Sequence, residues 1–292
     1  MMKRYKKLGL LILTVVLATT TLGCANTAKT NKNAAKENKS PQTAGGTTES
    51  GKQKFVVGFD AEYPPYGYRD KSGKYVGFDL DLAQEVCKRN KWTLVKQPID
   101  WDSKDMELNS GAIDCIWNGF TITGREKDYT WTTPYVDNSI VVVVAKDSKI
   151  NDLKDLAGKV VDTQADSSAL TALTDKSADN AKNLQLASTF AQLQQVADYN
   201  TAFMDLQSGA VDAIAVDIGV AKYQVNSRSG AYKILDEKIS TEQYAVGFKL
   251  GNTQLRDKVQ TTLNEMLKDG TFDKIAAKYK DYNLPDMVCL GK

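Results

Sequence analysis

An eleven-residue stretch occurs twice in this chain, and the repeat constrains the fold more than any other feature of the sequence. The copies, at residues 106–116 (MELNSGAIDCI) and 204–214 (MDLQSGAVDAI), align without a gap. In each copy a glycine, Gly111 or Gly209, stands where a helix that ends in a left-handed cap requires one, and a short apolar run follows. Each copy therefore predicts a helix, a turn and a buried strand, and the pair predicts two similar α/β lobes.

Other segments alternate between strand and helix patterns along the chain. Strands are predicted at residues 55–59, 140–145 and 159–163, and helices at 79–91, 255–266 and 272–279. This alternation indicates mainly parallel sheets with helices on both faces. In such sheets, ligands bind beyond the carboxyl ends of the strands.

The absence of histidine and the spacing of the cysteines exclude several function classes. The chain has no histidine, which removes Ser-His and Cys-His nucleophile systems, His-ligated zinc and a histidine general base. Its four cysteines, Cys24, Cys87, Cys115 and Cys289, form no C-x-x-C pair, so the sequence contains neither a zinc cage nor a thioredoxin-like motif. We therefore expect no metal, no cofactor and no catalytic residue.

The N-terminal segment is typical of a secreted lipoprotein. Residues 1–23 carry four positive charges followed by an apolar run that is too short to span a bilayer, which predicts a signal peptide. The run ends at Cys24 in a sequence that resembles a bacterial lipobox, so we expect Cys24 to be lipidated; a plain secretory signal with an incidental cysteine is the alternative. Residues 24–54 lack large apolar side chains and predict a flexible linker. The protein is therefore expected at the extracytoplasmic face of the cell membrane, attached by lipid alone.

The distribution of charge argues against nucleic acid as a partner. The formal net charge is +2, but lysines dominate the leader and linker, so the body from Phe55 onward is mildly acidic. Binding to phosphates requires a concentrated basic face. No second apolar run of spanning length follows, which disfavours a transmembrane sensor or permease.

Polar residues follow both repeated strands where each strand is predicted to end. Asn118, Gly119 and Thr121 come just after the first strand, Arg125 follows them, and Asp217 comes after the second strand. Because both strand ends should face one cleft, a guanidinium and a carboxylate are expected to meet there. Arg125 can bind the carboxylate of an α-amino acid through two parallel bonds, and Asp217 can accept from its ammonium group.

A polar loop at residues 164–168 (QADSS) leads from the strand at 159–163 into a predicted helix. Serine hydroxyls and free backbone N–H groups at a helix start bind anions. Ser167 and Ser168 are therefore candidate contacts for the same ligand.

Five further motifs are spread over the body of the chain. They are GFDAEYPP at residues 58–65, VGFDLDL at 76–82, NGFTITGR at 118–125, DLAGK at 155–159 and DGTFDK at 269–274. In this order, from about Phe55 to Tyr282, they resemble the polar amino-acid family of extracellular solute-binding proteins, which are the receptors of ABC importers. The resemblance implies a two-lobed type II periplasmic-binding-protein fold with a hinged cleft, and a monomer that delivers its amino acid to an ABC permease with a cytoplasmic ATPase.

The resemblance also implies lobe boundaries and ligand contacts. The first lobe would comprise residues 55–137 and 245–292 and the second residues 138–244, with crossovers that act as a hinge near 135–138 and 243–246. The family's carboxylate arginine corresponds to Arg125 and its ammonium aspartate to Asp217. Its remaining contacts correspond to Asp60, Tyr63, Gly119, Thr121, Ser167 and Ser168. Trp101, which precedes a polar turn, is expected to wall the pocket.

Two positions depart from the family pattern. Arg125 stands two residues after Thr123 rather than three, which implies a shorter loop, and Asp166 replaces the glycine that usually opens the loop of the second lobe. The side-chain preference would come from aromatic residues, Tyr63 and Trp101 with Phe120 and Trp117, of which Trp117 is expected in the core. The identity of the amino acid stays open.

An alternative function remains. It is an enzyme on the same fold, resembling cyclohexadienyl dehydratases, for which Glu62 is the nearest candidate acid.

A disulfide is also expected from the resemblance. Because the family returns its C-terminal helices to the first lobe, we expect Cys289 to pair with Cys87 or Cys115.

Overall fold

The computed structural model describes residues 51–292. Its strands are β1 (Lys54–Phe59), β2 (Glu62–Tyr63), β3 (Gly67–Arg69), β4 (Tyr75–Val76), β5 (Thr93–Pro98), β6 (Cys115–Ile116), β7 (Thr130–Trp131), β8 (Val136–Ala145), β9 (Val160–Gln164), β10 (Gln192–Val196), β11 (Ala213–Asp217), β12 (Tyr232–Ile234), β13 (Ser240–Tyr244) and β14 (Gly247–Phe248). Its α-helices are α1 (Phe78–Asn90), α2 (Lys104–Ser110), α3 (Ser168–Thr174), α4 (Ala181–Ser188), α5 (Tyr199–Ser208), α6 (Ile218–Ser227), α7 (Thr253–Lys268), α8 (Thr271–Ala277) and α9 (Leu284–Met287).

Every strand and helix predicted above is present, with ends that differ by a few residues. The predicted signal peptide, Cys24 and nearly all of the predicted linker lie outside the described residues. Within residues 51–292, no helix combines the length and the apolar character needed to cross a membrane.

Two sheets organise the fold. The sheet of the first lobe has the order β5-β1-β6-β14-β7, and the sheet of the second has the order β10-β9-β11-β8-β12, with β13 paired to β8. The strand β8 is buried on both faces because its alternate side chains join different hydrophobic clusters: Val141 and Val143 belong to one, and Ile140, Val142 and Val144 to the other. This two-sided burial explains the dense run of β-branched residues.

The pairing within the sheets differs from the prediction of mainly parallel strands. Parallel pairing covers β5-β1-β6 and β10-β9-β11, whereas β14 and β8 are antiparallel to their neighbours. Parallel neighbours need a crossover connection, usually a helix, between them. β8 and β14 are reached directly from the other sheet, so they enter in the opposite direction.

The repeated stretches have the same geometry in the two lobes, as predicted. Gly111 ends α2 and Gly209 ends α5, with φ angles of 81° and 78°. In each copy the aspartate that follows binds the start of the neighbouring parallel strand: the backbone N–H of Val56 donates to Asp114 (2.7 Å), and that of Val160 donates to Asp212 (2.9 Å). The repeat therefore builds the same helix, turn and strand twice.

The connections between the sheets lie side by side. β8 and β13 pair antiparallel, with Val136 opposite Tyr244. The N–H of Tyr135 donates to the carbonyl of Tyr244 (2.9 Å), and the N–H of Ala245 donates to the carbonyl of Phe120 (2.9 Å). The expected crossovers near 135–138 and 243–246 are thus two adjacent extended segments.

The predicted disulfide is wrong, because Cys87, Cys115 and Cys289 are all free. Cys87 and Cys115 are buried in the core of the first lobe. Cys289 instead lies at the crossovers, where its N–H donates to the carbonyl of Tyr135 (3.1 Å) and its Sγ is 4.0 Å from Nε2 of Gln243. Return of the C-terminal segment to the first lobe therefore does not place Cys289 in bonding geometry with the other cysteines.

Candidate ligand-binding site

The predicted site residues gather around a small cavity between the two lobes. The cavity is lined by Tyr63, Trp101, Asn118, Gly119, Thr121, Arg125, Gln164, Ser167, Ser168 and Asp217. Of the predicted ligand contacts, Asp60 alone is not part of this lining. The space available to the centre of a water molecule is about 10 Å³, which is room for about one water. A larger ligand therefore enters only if the lobes separate or the lining rearranges.

The loop that follows β6 forms much of the first-lobe side of the cavity. Gly119 has a φ of 54°, and an added Cβ would lie 2.9 Å from the ring of Tyr63. Its N–H donates to the buried carboxylate of Asp79 (2.6 Å), which also accepts from the hydroxyl of Tyr135 (2.8 Å). Burial raises the pKa of Asp79 to about 7. Asp79 therefore fixes the loop that carries Thr121, a role that no sequence pattern predicted.

Asp60 lies behind the cavity wall and connects the lobes. Its carboxylate accepts from Nε2 of Gln164 (2.7 Å), and its N–H donates to Oδ1 of Asn118 (3.1 Å). Burial, as the largest cause, raises the pKa of Asp60 to about 6. Asn118 directly precedes Gly119, and Gln164 begins the loop at residues 164–168 that contains Ser167. These positions were the sequence signal for both residues.

Asp217 ends β11 and is fully buried at the base of the cavity. It accepts from Nδ2 of Asn138 (2.6 Å) and from the hydroxyl of Tyr244 (2.5 Å). Burial raises the pKa of the carboxyl group, although these hydrogen bonds act in the opposite direction. The hydroxyl of Tyr63, from the first lobe, lies 3.4 Å from that of Tyr244.

A second buried carboxylate, Glu242, lies next to Asp217 and was missed. Its Oε1 accepts from the hydroxyls of Thr121 (2.6 Å) and Ser168 (3.0 Å) and from Nδ2 of Asn138 (2.8 Å). It therefore joins the first lobe, the second lobe and the crossover. The sequence signal was weak: period-2 alternation in β13 puts Glu242 on the same face as Tyr244.

The ionisation of Glu242 predicts a dependence of stability on pH. Burial first, and then the charge of Asp217, raise its pKa from 4.5 to about 7. The folded protein thus binds this proton more tightly than the unfolded chain does, so the free energy of unfolding falls as pH rises from about 4.5 to about 7 and stays low above it. We expect Glu242→Gln to raise the free energy of unfolding at pH 8 by about 1–3 kcal/mol and to change it little near pH 4.

Chemical denaturation at the two pH values measures this difference. Glu265→Gln on the exposed face of α7 is the matched control and should leave stability unchanged at both. An equal gain for Glu242→Gln at pH 4 and pH 8 would contradict the explanation.

Arg125 is half-buried at the boundary between the lobes. Its Nη1 donates to the carbonyl of Thr121 (3.4 Å), its Nη2 donates to the carbonyl of Asp166 (3.3 Å), and its guanidinium lies 5.5 Å from the ring of Phe120. The contact with Asp166 crosses to the second lobe. Arg125 thus keeps a planar set of donors next to the cavity.

The two serines of the loop at residues 164–168, in the second lobe, have different roles. Ser167 caps α3, because its Oγ accepts from the N–H of Leu170 (3.1 Å), whereas the hydroxyl of Ser168 donates to Glu242. Asp166, at the position where the resemblance predicts a glycine, has a φ of 55°. The substitution therefore preserves the left-handed backbone that glycine would adopt.

The aromatic candidates divide between wall and core. Trp101 lines the cavity, and its Nε1 donates to the carbonyl of Asp166 (3.2 Å). Trp117 is fully buried in the core, as predicted. Phe120 is also fully buried and lies behind Trp101, with ring centroids 5.5 Å apart, so it supports the wall without lining the cavity.

Glu62, the acid that the enzyme alternative requires, is exposed and is not part of the cavity lining. Its carboxylate accepts a hydrogen bond from the side chain of Asn200.

Within residues 51–292, no cluster of acidic and cysteine side chains could hold a metal ion.

Most of the chain matches one known family of proteins. The bacterial extracellular solute-binding proteins, family 3, match residues 55–282. The chain belongs to this family. This solute-binding protein is 32% identical to the L-cystine-binding protein TcyA of Bacillus subtilis over 77% of this chain and 80% of TcyA.

Solved structures show the same two-lobed fold. A substrate-binding protein of an ABC uptake transporter from Streptococcus pneumoniae, with bound histidine, is 34% identical, with a TM-score of 0.72 over 77% of this chain and 92% of that one. An ancestral amino-acid-binding protein, a precursor of cyclohexadienyl dehydratase, is 28% identical, with a TM-score of 0.69 over 77% and 95%.

Proposed function

We propose that this solute-binding protein captures an amino acid between its lobes, with Arg125 binding the α-carboxylate and Asp217 the α-ammonium group. The observation that carries the proposal is that these two opposite charges come from different lobes and line one cavity. A guanidinium pairs with a carboxylate through parallel bonds, and a buried carboxylate favours a cationic partner. Relatives that bind cystine and histidine support an amino-acid ligand.

The remaining predicted contacts have consistent places in this proposal. Gly119, Thr121, Ser167 and Ser168 supply backbone and hydroxyl groups on both sides of the cavity, and Tyr63 and Trp101 supply aromatic walls. Asp60 acts from behind the wall through Gln164.

Ligand entry requires hinge motion in this proposal. The cavity has room for about one water, and hydrogen bonds such as Asp60 to Gln164 join its two sides. The adjacent crossovers at 135–138 and 243–246 would act as the hinge that separates residues 138–244 from the rest of the body. Closure then surrounds the ligand and shields its charges from water.

Membership of this family supports a role in transport. We propose that the protein is monomeric and delivers its amino acid to an ABC permease with a cytoplasmic ATPase. The predicted signal peptide and Cys24 support attachment at the extracytoplasmic face of the cell membrane.

Cys24→Ser should release the protein from the membrane. The predicted anchor is a lipid on the Cys24 thiol, and serine cannot receive it through a thioether. Sedimentation of membranes followed by immunodetection measures the bound fraction. If Cys24→Ser still sediments with membranes while the cells secrete it normally, lipid on Cys24 is not the anchor.

Retention of a labelled amino-acid mixture tests the receptor function against the enzyme alternative. The purified protein is dialysed against the twenty amino acids, denatured, and its bound compounds are identified by chromatography. A receptor returns one or a few amino acids unchanged. Retention of none would contradict the proposal, and conversion of the ligand would favour the enzyme related to cyclohexadienyl dehydratase.

A further inference from the structure

Lys104 is a charged side chain that the proposed function does not use. It begins α2, and its side chain is 2% exposed. Lysines are rarely buried to this degree without a partner. The ammonium group donates to the carbonyl of Trp101 (3.4 Å), lies 5.2 Å from the ring of the same residue, and forms an ion pair with the carboxylate of Asp166.

Asp166 receives three donors from the first lobe. Its carboxylate pairs with Lys104, and its backbone carbonyl accepts from Nε1 of Trp101 (3.2 Å) and Nη2 of Arg125 (3.3 Å). All three bonds cross from one lobe to the other. Neither Lys104 nor Asp166 lines the cavity, so the pair joins the two lobes without a place for direct contact with the ligand.

We propose that the Lys104–Asp166 ion pair is a latch that holds the lobes closed and slows the release of the ligand. The inference rests on the proposed function for its effect on ligand release. When the lobes separate, both charges must leave each other and be hydrated. The latch therefore stabilises the closed state independently of the amino acid bound.

The expected effect lies between those of exposed and buried ion pairs. The Asp166 side chain is 52% exposed, whereas that of Lys104 is almost completely buried. Loss of a buried charge pair acts mainly on the dissociation rate, and exposure of one partner reduces the effect. We expect removal of either charge to raise the dissociation rate of the amino acid about tenfold. The association rate should stay equal or rise, because the ligand enters the open state.

Stopped-flow measurement of ligand dissociation from the full chain tests the latch. The variants are Asp166→Asn, which keeps a residue that tolerates positive φ, Lys104→Met, and the double variant. Each single variant should accelerate dissociation about tenfold and the double variant no further. High salt should accelerate dissociation from the wild type more than from Asp166→Asn, because only the wild type has the half-exposed ion pair to be screened. Lys127→Met, an exposed lysine in a neighbouring loop, is the control and should behave like the wild type.

Additive effects in the double variant, or an unchanged dissociation rate for Asp166→Asn, would overturn the latch while leaving the receptor function intact. Small-angle scattering without ligand gives a second, independent readout. Asp166→Asn should then have a larger radius of gyration than the wild type, and equal radii would count against the latch. If the wild type retains no amino acid, the receptor function fails, and scattering alone decides the latch.

Discussion

Arg125→Ala is expected to weaken amino-acid binding by about 2–5 kcal/mol, which turns a dissociation constant of about 1 μM into one between about 30 μM and about 5 mM. The guanidinium supplies paired donors at a half-buried position next to the cavity. Its removal leaves the α-carboxylate desolvated between the lobes without a cation. Asp217→Asn should have a loss of similar size, because the ammonium group would then face a neutral amide at the fully buried base of the cavity.

Titration calorimetry of the variants measures these losses. Arg125→Lys should also bind weakly, since an ammonium cannot form two parallel bonds to a carboxylate. Arg69→Ala, on the exposed surface, is the control for loss of one positive charge and should bind normally. An amine that lacks the α-carboxylate should not bind the wild type, and tight binding of that amine would contradict the assigned role of Arg125.

Gly219→Ala is expected to prevent full closure of the lobes. Gly219 lies in the first turn of α6 in the second lobe, and an added Cβ would be 2.3 Å from the hydroxyl oxygen of Tyr66 in the first lobe. Tyr66 is fully buried and packs edge-on against Tyr244, so its ring cannot move aside freely. Overpacking of this kind costs about 1–3 kcal/mol, and we expect amino-acid affinity to fall about 10- to 100-fold.

Calorimetry and scattering with ligand distinguish a closure defect from unfolding. Gly219→Ala should keep a cooperative unfolding transition but have a larger radius of gyration when saturated with ligand. Tyr66→Phe removes the clashing oxygen, which has no hydrogen-bond partner among residues 51–292, and should restore part of the affinity in the double variant. Wild-type affinity for Gly219→Ala alone would show that the lobes do not approach here.

The repeated stretches made much of this fold predictable. A glycine after each amphipathic helix and an apolar run after each glycine require similar local geometry, and both copies adopt it. The ends of those strands then placed Gly119, Thr121 and Asp217 at one cleft, because ligands bind beyond the carboxyl ends of the parallel strands in each of the two sheets. Local sequence and one topological rule were sufficient for most of the cavity lining.

The residues that escaped prediction depend on contacts between distant segments. Glu242 and Asn138 meet beside Asp217 because β13 pairs with β8 in one register, which no local pattern specifies. The ion pair of Lys104 with Asp166 requires the two lobes to be in contact. The predictions of parallel pairing for β8 and of a disulfide at Cys289 were wrong for the same reason, because both features depend on how the chain passes between the lobes.

Calorimetric titration of the purified protein with each of the twenty amino acids tests the central claim most directly. We expect at least one amino acid to bind the wild type with a stoichiometry of one per chain, and Arg125→Ala to weaken the binding free energy by about 2–5 kcal/mol. Arg69→Ala should bind like the wild type. Binding of no amino acid by the folded wild type, or tight binding by Arg125→Ala, would contradict an amino-acid clamp between the lobes.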